Sequence, residues 1–294
     1  MLRTSPLTRC ANNGPTAFAI CSRAWIQASG VISQVTALGK GDSVNCLPYI
    51  GGKSKLAETI IKMMPEHQAY CEVFCGAAWV FFRKEPSKYE TINDLDSDLV
   101  CFYRVLQHHL EEFLKQFKWV LSSREWFEDF KRQQEAGGLT DIQRAARYYY
   151  LQRHCFAGRV KGRTFGAGPK RAPRINLLRI EEELSEVHLR LARVTLENLP
   201  WQEFLRRYDK PDTFFYLDPP YFKAPFYAHN LELADYQEMA GVLSQIRNKF
   251  ILSINDLPEM REVFGEFKIR PVSLKYSVSK EGWVEGRELL VSNF

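Results

Sequence analysis

The sequence predicts a doubly wound α/β sheet carrying an inserted, mostly helical domain, and three observations predict it. From Tyr49 onward, short β-type runs alternate with helical stretches, the pattern of strands with helices packed on both faces. Between Lys115 and Arg193 the strand signal fades while helical patterning continues. At Phe214–Phe222, FFYLDPPYF, a hydrophobic strand halts at two prolines, which cannot donate to a sheet ladder. A chain of 294 residues can bury one large core with an insertion, and its apolar and charged fractions are those of an ordinary globular protein. No apolar run approaches the length of a membrane span. Seven cysteines without a C-x-x-C read as reduced thiols of a cytosolic protein, not as a disulfide framework or zinc site.

The elements follow in order. Residues 1–46 hold no acid before Asp42, carry Arg3, Arg9, Arg23 and Lys40, and are rich in Ser, Thr, Ala and Gly. That is the flavour of a transit peptide, and equally of a poorly ordered leader or an overlong start. Tyr70–Phe74, Glu90–Asn93, Val194–Glu197, Thr213–Leu217, Phe250–Ile254 and Leu289–Asn293 read as strands, rich in apolar or β-branched residues. Ser54–Met64, Asp98–Phe113 and Asp235–Ile246 read as helices. In the insertion, Asn176 is a candidate cap and Glu181–Glu183 suit a first turn. Ile180, Leu184, Val187, Leu191 and Val194 then form an apolar stripe, too short for a coiled coil and suited to core packing. The expected division is therefore 47–114 with 194–294 as one domain, and 115–193 inserted into it.

Three stretches carry chemistry. In LDPPY the strand must end at Asp218, so its carboxylate and the carbonyl of Pro219 project beyond the sheet's carboxyl edge, where open α/β folds bind ligands. Both groups accept hydrogen bonds and Tyr221 adds a flat face, a combination suited to a planar donor such as an exocyclic NH2. The bland alternative is a strand-ending turn with a capped Asp. In YCEVFCGAAWVFF, Tyr70–Phe82, a strand runs into a small-residue turn at Gly76. TINDLDSD follows, with Asp94 placed 22 residues after Glu72, near the spacing of about 20 at which an acid grips a cofactor ribose. The alternative role for Asp94 is capping the helix near Asp98. PYIGGKSKL, Pro48–Leu56, invites a phosphate-loop reading, which fails because Leu47 stands where the motif needs glycine. A tight Gly-Gly turn presenting Lys53 beside Tyr49 remains.

Charge is unevenly spread. Arg144–Arg174 holds nine Lys or Arg and no acid, more than the whole chain's net charge of +5. These cations interleave with Tyr148, Tyr149, Tyr150, Phe156 and Phe165. A helix through RAARYYYLQRH and a glycine-containing hairpin after it combine phosphate neutralisation with candidate base-reading Arg and His side chains. A merely solvated basic loop is the alternative.

PYIGGK, EVFCG, NDLDSDL and DPPY, in this order, resemble the Dam-type DNA adenine-N6 methyltransferases, the D12 class, over Leu47–Phe294. RHCFAGRVKGRTFGAG is similar to the insertion of phage-encoded members. The resemblance implies a Rossmann-like methyltransferase sheet, S-adenosylmethionine as cofactor with no metal, and a target-recognition insertion preceding the catalytic motif. It implies a bacterial or phage-encoded cytoplasmic enzyme, expected as a monomer away from membranes, acting on double-stranded DNA after everting the adenine. By its motifs, Asp218, Pro219 and Tyr221 are catalytic, and Tyr49, Lys53, Gly76, Asp94 and Asp218 are cofactor-binding. Arg153, Arg159, Lys161 and Arg163 are expected on DNA. Two departures stand out: Val73 follows the glutamate where the family has proline, and Ala77 and Ala78 replace turn glycines. Two alternatives keep or lose the chemistry: an RNA adenine-N6 or DNA cytosine-N4 methyltransferase, and a catalytically inactive DNA-binding homologue.

Overall fold

Strand alternation decides how the sheet is covered. In a computed structural model of the chain, residues 47–49, 53, 55–166, 174–224, 227, 229–279 and 282–294 are described. They fall within one compact unit, Ser43–Phe294. The leader, the Gly51–Gly52 turn and Ser54 lie outside the described residues. The strands are β1 (Ala69–Glu72), β2 (Tyr89–Asn93), β3 (Val194–Glu197), β4 (Thr213–Leu217), β5 (Lys249–Asn255), β6 (Lys268–Ser279) and β7 (Gly282–Ser292). They form one sheet in the order β3-β2-β1-β4-β5-β7-β6. The first five run parallel, and β7 enters antiparallel beside β5 with β6 at the edge. Tyr70, Phe214, Tyr216 and Ile251 point into one apolar layer, and their neighbours Cys71, Phe215, Leu217 and Leu252 point into the other. The doubly wound prediction stands.

The helices are α1 (Ala57–Met63), α2 (Trp79–Arg83), α3 (Ser97–His108), α4 (Leu110–Lys115), α5 (Arg124–Ala136), α6 (Asp141–His154), α7 (Ile180–Leu191), α8 (Trp201–Tyr208), α9 (Leu233–Gln245) and α10 (Pro258–Val263). The stripe of α7 is buried as predicted at Ile180, Leu184, Val187 and Leu191. Its fifth member, Val194, opens β3 instead. Asn176 is not the cap: its Oδ1 accepts from the Leu178 N–H at 3.1 Å, closing a turn, and Arg179 stands at the helix start. The single helix expected over Asp98–Phe113 is two, because His109 leaves the helical region at φ −137°. The edge strand β6 escaped the sequence reading because Pro271 lies within it, a residue that only an edge strand tolerates.

The segment between α4 and α7 packs on α3 through aromatic rings. Helix α6 starts with a capping box, the Thr140 hydroxyl and Gln143 side chain each bonding the other's backbone. Its Tyr148, Tyr149 and Tyr150 are fully buried. Tyr149 lies against Phe102, Phe113 and Phe117 with ring centroids 5.4–5.7 Å apart. These tyrosines are core, not base-stacking surface, because one face of α6 meets α3 and another meets α5. His154 is buried too. Its ring nitrogens meet the Ser122 hydroxyl and the Tyr150 carbonyl at 2.9 Å, so it is not a base reader.

Arg190 and Lys84 both bind the buried Glu90, the latter at 2.5 Å. They tie α7 to β2 and to the residue after α2. A buried carboxylate with two cationic partners is well compensated. Tyr149→Ala should cost about 3–5 kcal/mol in denaturant unfolding, the usual result of emptying a large aromatic site. Tyr149→Phe, which keeps the ring, should lose far less stability and keep DNA affinity close to wild type, as measured by melting and filter binding. A selective loss of DNA affinity in the Phe variant would return this ring to the surface.

Candidate functional site

Parallel strands β1 and β4 are neighbours although far apart in sequence, and their helices leave the sheet on opposite sides. This switch point opens a crevice at the carboxyl ends. Glu72 pairs in register with Tyr216, so Asp218 emerges just beyond the end of β4 and level with the turn after β1. A cleft of about 890 Å³, open mouth included, lies there. Lys53, Glu72, Gly76, Asp94 and Asp218 all line it.

The turn after β1 is built on strained backbone. Gly76 has φ +47°, and a Cβ there would sit 3.1 Å from the Tyr49 ring. Ala78 adopts the left-handed region at φ +52°, where alanine is disfavoured. This is one of the two alanines standing where the family has glycine. Asp94 fixes the turn: its Oδ2 accepts the Gly76 N–H and its Oδ1 the Asp96 N–H, both at 2.9 Å. Helix α3 is capped by Asp96 instead, which accepts from Asp98 and Leu99. The capping alternative for Asp94 is therefore excluded, and the carboxylate keeps lone pairs for hydroxyl donors. Burial, with Asp96 beside it, pushes its carboxyl up to about 6.

Lys53 reaches the Asp218 end of the cleft. Its Nζ lies 2.7 Å from Asp218 Oδ1, donates to Tyr221 Oη at 2.5 Å, and sits 4.2 Å from the Tyr221 ring centroid. Burial raises the Asp218 carboxyl to about 6, with the Lys53 ammonium and the Ser253 hydroxyl opposing the rise and Glu288 adding to it. Ser253 donates to Asp218 Oδ1 at 3.0 Å. Glu288 on β7, nearly inaccessible, approaches Lys53 Nζ at 3.7 Å. Pro220 lines the cleft, while Pro219 is buried beneath it. The Pro220 carbonyl accepts from the Tyr236 hydroxyl, fixing the loop.

Ser253 and Glu288 escaped sequence reading. Ser253 is a polar residue in the buried run of β5 and reaches Asp218 through the pairing of β5 with β4, while Glu288 is brought there by the pairing of β7 with β5. A polar residue at a buried strand position was the available signal. Of the four cations expected on DNA, Lys161 is exposed, while Arg153, Arg159 and Arg163 are half-buried. Arg153 donates to the Arg174 carbonyl and Arg163 to Gln134. Lys170 and Arg171 lie outside the described residues.

A largely parallel sheet with a cleft at its switch point, lined by partly or wholly buried carboxylates, is the arrangement of a Rossmann-like enzyme. Residues 49–278 match the family described as D12 class N6 adenine-specific DNA methyltransferase, and the chain belongs to that family. It is similar to the DNA N-6-adenine-methyltransferase of Escherichia phage P1, 24% identical over 81% of this chain and 33% of that protein. The chain thus spans about a third of the length of the phage enzyme. It is also similar to type II methyltransferase M1.LlaDCHI of Lactococcus lactis subsp. cremoris, 25% identical over 86% of this chain and 97% of that protein. The DNA adenine methylase of Salmonella typhi is 25% identical, with 80% and 89% covered. The family is specific for adenine N6 in DNA, unlike the RNA and cytosine-N4 alternatives.

Glu72 gives the site a testable electrostatic signature. Its Oε2 accepts from the Tyr70 hydroxyl at 2.6 Å and the Phe81 N–H at 3.1 Å, and burial raises its carboxyl to about 8. A raised pKa contributes stability that is full below the ordinary glutamate value of 4.5 and is lost as pH rises through about 8. Glu72→Gln keeps an acceptor for both donors and cannot ionise. Its melting temperature should therefore gain on wild type progressively across that window, in melts recorded at stepped pH. Parallel curves for the two proteins would overturn the assignment.

Proposed function

We propose that the chain transfers a methyl group from S-adenosylmethionine to N6 of an adenine everted from double-stranded DNA. One observation carries this reading. At the cleft edge a nitrogen donor, the Lys53 ammonium, lies 2.7 Å from Asp218 Oδ1 and 4.2 Å from the centre of the Tyr221 ring. An adenine amine needs the same pair of contacts, an acceptor in its plane and a ring on its face.

The cleft fits the cofactor. Asp94 and Asp96 make one wall acidic, suited to an ammonium and to ribose hydroxyls, while Val73, Leu199 and Trp201 supply apolar walls. S-adenosylmethionine supplies an electrophilic methyl group when bound. The chain does the rest by positioning and electrostatics. Tyr49 and Gly76 form the floor, Asp94 receives hydroxyls, and Tyr221 stacks on the everted base. Asp218 accepts an N6 hydrogen, which localises the amine's lone pair, and then holds the proton made acidic by methylation. Pro219 fixes the strand end so that Asp218 stays at the edge. Lys53 vacates the amine position toward Glu288, keeping a charged partner as it moves.

Residues 115–193 are the proposed target-recognition segment, presented by a single chain. Eversion follows from the geometry of a duplex, in which the base stack hides N6. Lys161, exposed at the hairpin tip, and Arg159 take phosphates, while Arg153 and Arg163 brace the hairpin and approach the groove.

Asp218→Asn should reduce kcat by at least about 100- to 1,000-fold, the scale for losing one preorganised electrostatic group, with DNA affinity nearly unchanged. The wild-type rate should rise with pH through about 6 as Asp218 ionises. Radiolabelled methyl incorporation measures both, and a pH-independent rate across that value would remove Asp218 as the acceptor. Replacing Arg159 and Lys161 by Gln should weaken binding to all DNA sequences alike. It should flatten the salt dependence by about one unit of slope for each phosphate no longer neutralised, read from binding isotherms at several ionic strengths.

A further inference from the structure

One buried amide joins the recognition segment to the cofactor cleft. Gln152, near the end of α6, is wholly inaccessible. Its Nε2 donates to the Pro48 carbonyl and to the Gly158 carbonyl, each at 2.8 Å, so both amide hydrogens are spent on tying two distant segments together. Gly158 has φ +67°, and a Cβ placed there would lie 2.9 Å from the Tyr49 backbone nitrogen and 3.0 Å from the Pro48 carbonyl. Only glycine lets the two backbones approach so closely. Gly158 opens the basic hairpin, which is closed by the Phe156 N–H on the Thr164 carbonyl at 2.9 Å and the Gly166 N–H on the His154 carbonyl at 2.7 Å. On the other side, the Tyr49 ring lies against Gly76, whose N–H is held by Asp94. Packing is thus continuous from the exposed Lys161 side of the hairpin to the cleft wall.

We infer that Gln152 is a positioning residue that couples the hairpin to the Tyr49 wall of the cleft, so that DNA and cofactor each strengthen binding of the other. The inference rests on the function proposed above. Neither ligand touches Gln152. It acts by holding the Pro48–Tyr49 backbone against Gly158, so ordering of the hairpin by DNA sets the Tyr49 ring over Gly76. Linkage requires the effect to be equal in both directions.

Sinefungin, a non-reactive cofactor analogue, titrated by calorimetry with and without duplex fragments of unmethylated plasmid, tests it. Wild type should bind sinefungin on the order of tenfold more tightly with DNA present, and DNA more tightly by the same factor with sinefungin. In Gln152→Met, similar in length but with no hydrogen to give the two carbonyls, that factor should fall to about one, as linkage without the clamp requires. The KM values for DNA and cofactor should rise while kcat at saturation is kept, a split that general loosening of the fold would not produce. Gly158→Ala breaks the clamp from the hairpin side without touching the amide and should give the same loss. Should either variant melt early, hydrogen exchange of the Tyr49 amide in the other still reports whether DNA protects it. A wild-type coupling factor retained in both variants overturns the inference and leaves the proposed function standing. Wild type that binds neither ligand overturns both.

Discussion

The site depends on one buried ion pair. Asp218, largely desolvated at the edge of the cleft, is held as a carboxylate by a cation, because desolvating an unpaired charge costs more than folding can spare. Lys53 is that cation, and it comes from a segment more than a hundred residues earlier in the chain. The pair therefore forces the N-terminal motif to lie across the carboxyl ends of β1 and β4. Glu288, within 3.7 Å of the same ammonium, draws in β7 as well. Three segments with no neighbourhood in sequence converge because a single carboxylate requires a partner.

The same pair explains how a carboxylate can be raised and still ionised at neutral pH. Burial alone would push Asp218 toward its neutral form, and Lys53 and Ser253 limit the rise to about 6. A carboxylate with a value near neutrality accepts a hydrogen bond well and can also hold a proton briefly, the two tasks that amine alkylation sets. Glu72, with no cation so close, rises further, to about 8. Two acids facing one cleft are thus separated in character by where the single lysine goes, a division of labour set by environment rather than by residue type.

What was legible in the sequence follows from which signals are local. The order of strands with their helices was legible, because alternation and the Asp-Pro-Pro stop are short-range patterns. Asp94 was legible through its distance from β1, and Asp218 through the prolines that follow it. Ser253 and Glu288 were not, since Ser253 meets Asp218 only once β5 pairs with β4, and Glu288 only once β7 is inserted antiparallel beside β5. The burial of the Tyr148–Tyr150 run was not legible either, for a related reason. A basic, aromatic helix has the composition of a nucleic-acid surface, yet α6 is packed by α3 and α5 on two sides, so the rings fill the core and the arginines emerge between them. Composition reports which groups are available, and packing decides which of them meet water.

That packing bears on how the segment proposed to read DNA can serve a chemical step. A hairpin tethered only through its solvent-exposed side would leave the cleft indifferent to what the hairpin holds. Here its first glycine is pressed on the Tyr49 backbone, and the tyrosine ring is pressed on Gly76. Each approach is too close to accommodate a methyl group without displacement, so the chain from hairpin to cleft floor has little slack to absorb movement. Close packing of this kind transmits small shifts rather than damping them. The left-handed Ala78 two residues on adds to the effect, because a turn already strained at its rest position has less room to adjust on its own. The strained turn at the floor and the close approach of Gly158 thus meet at the backbone that carries Tyr49.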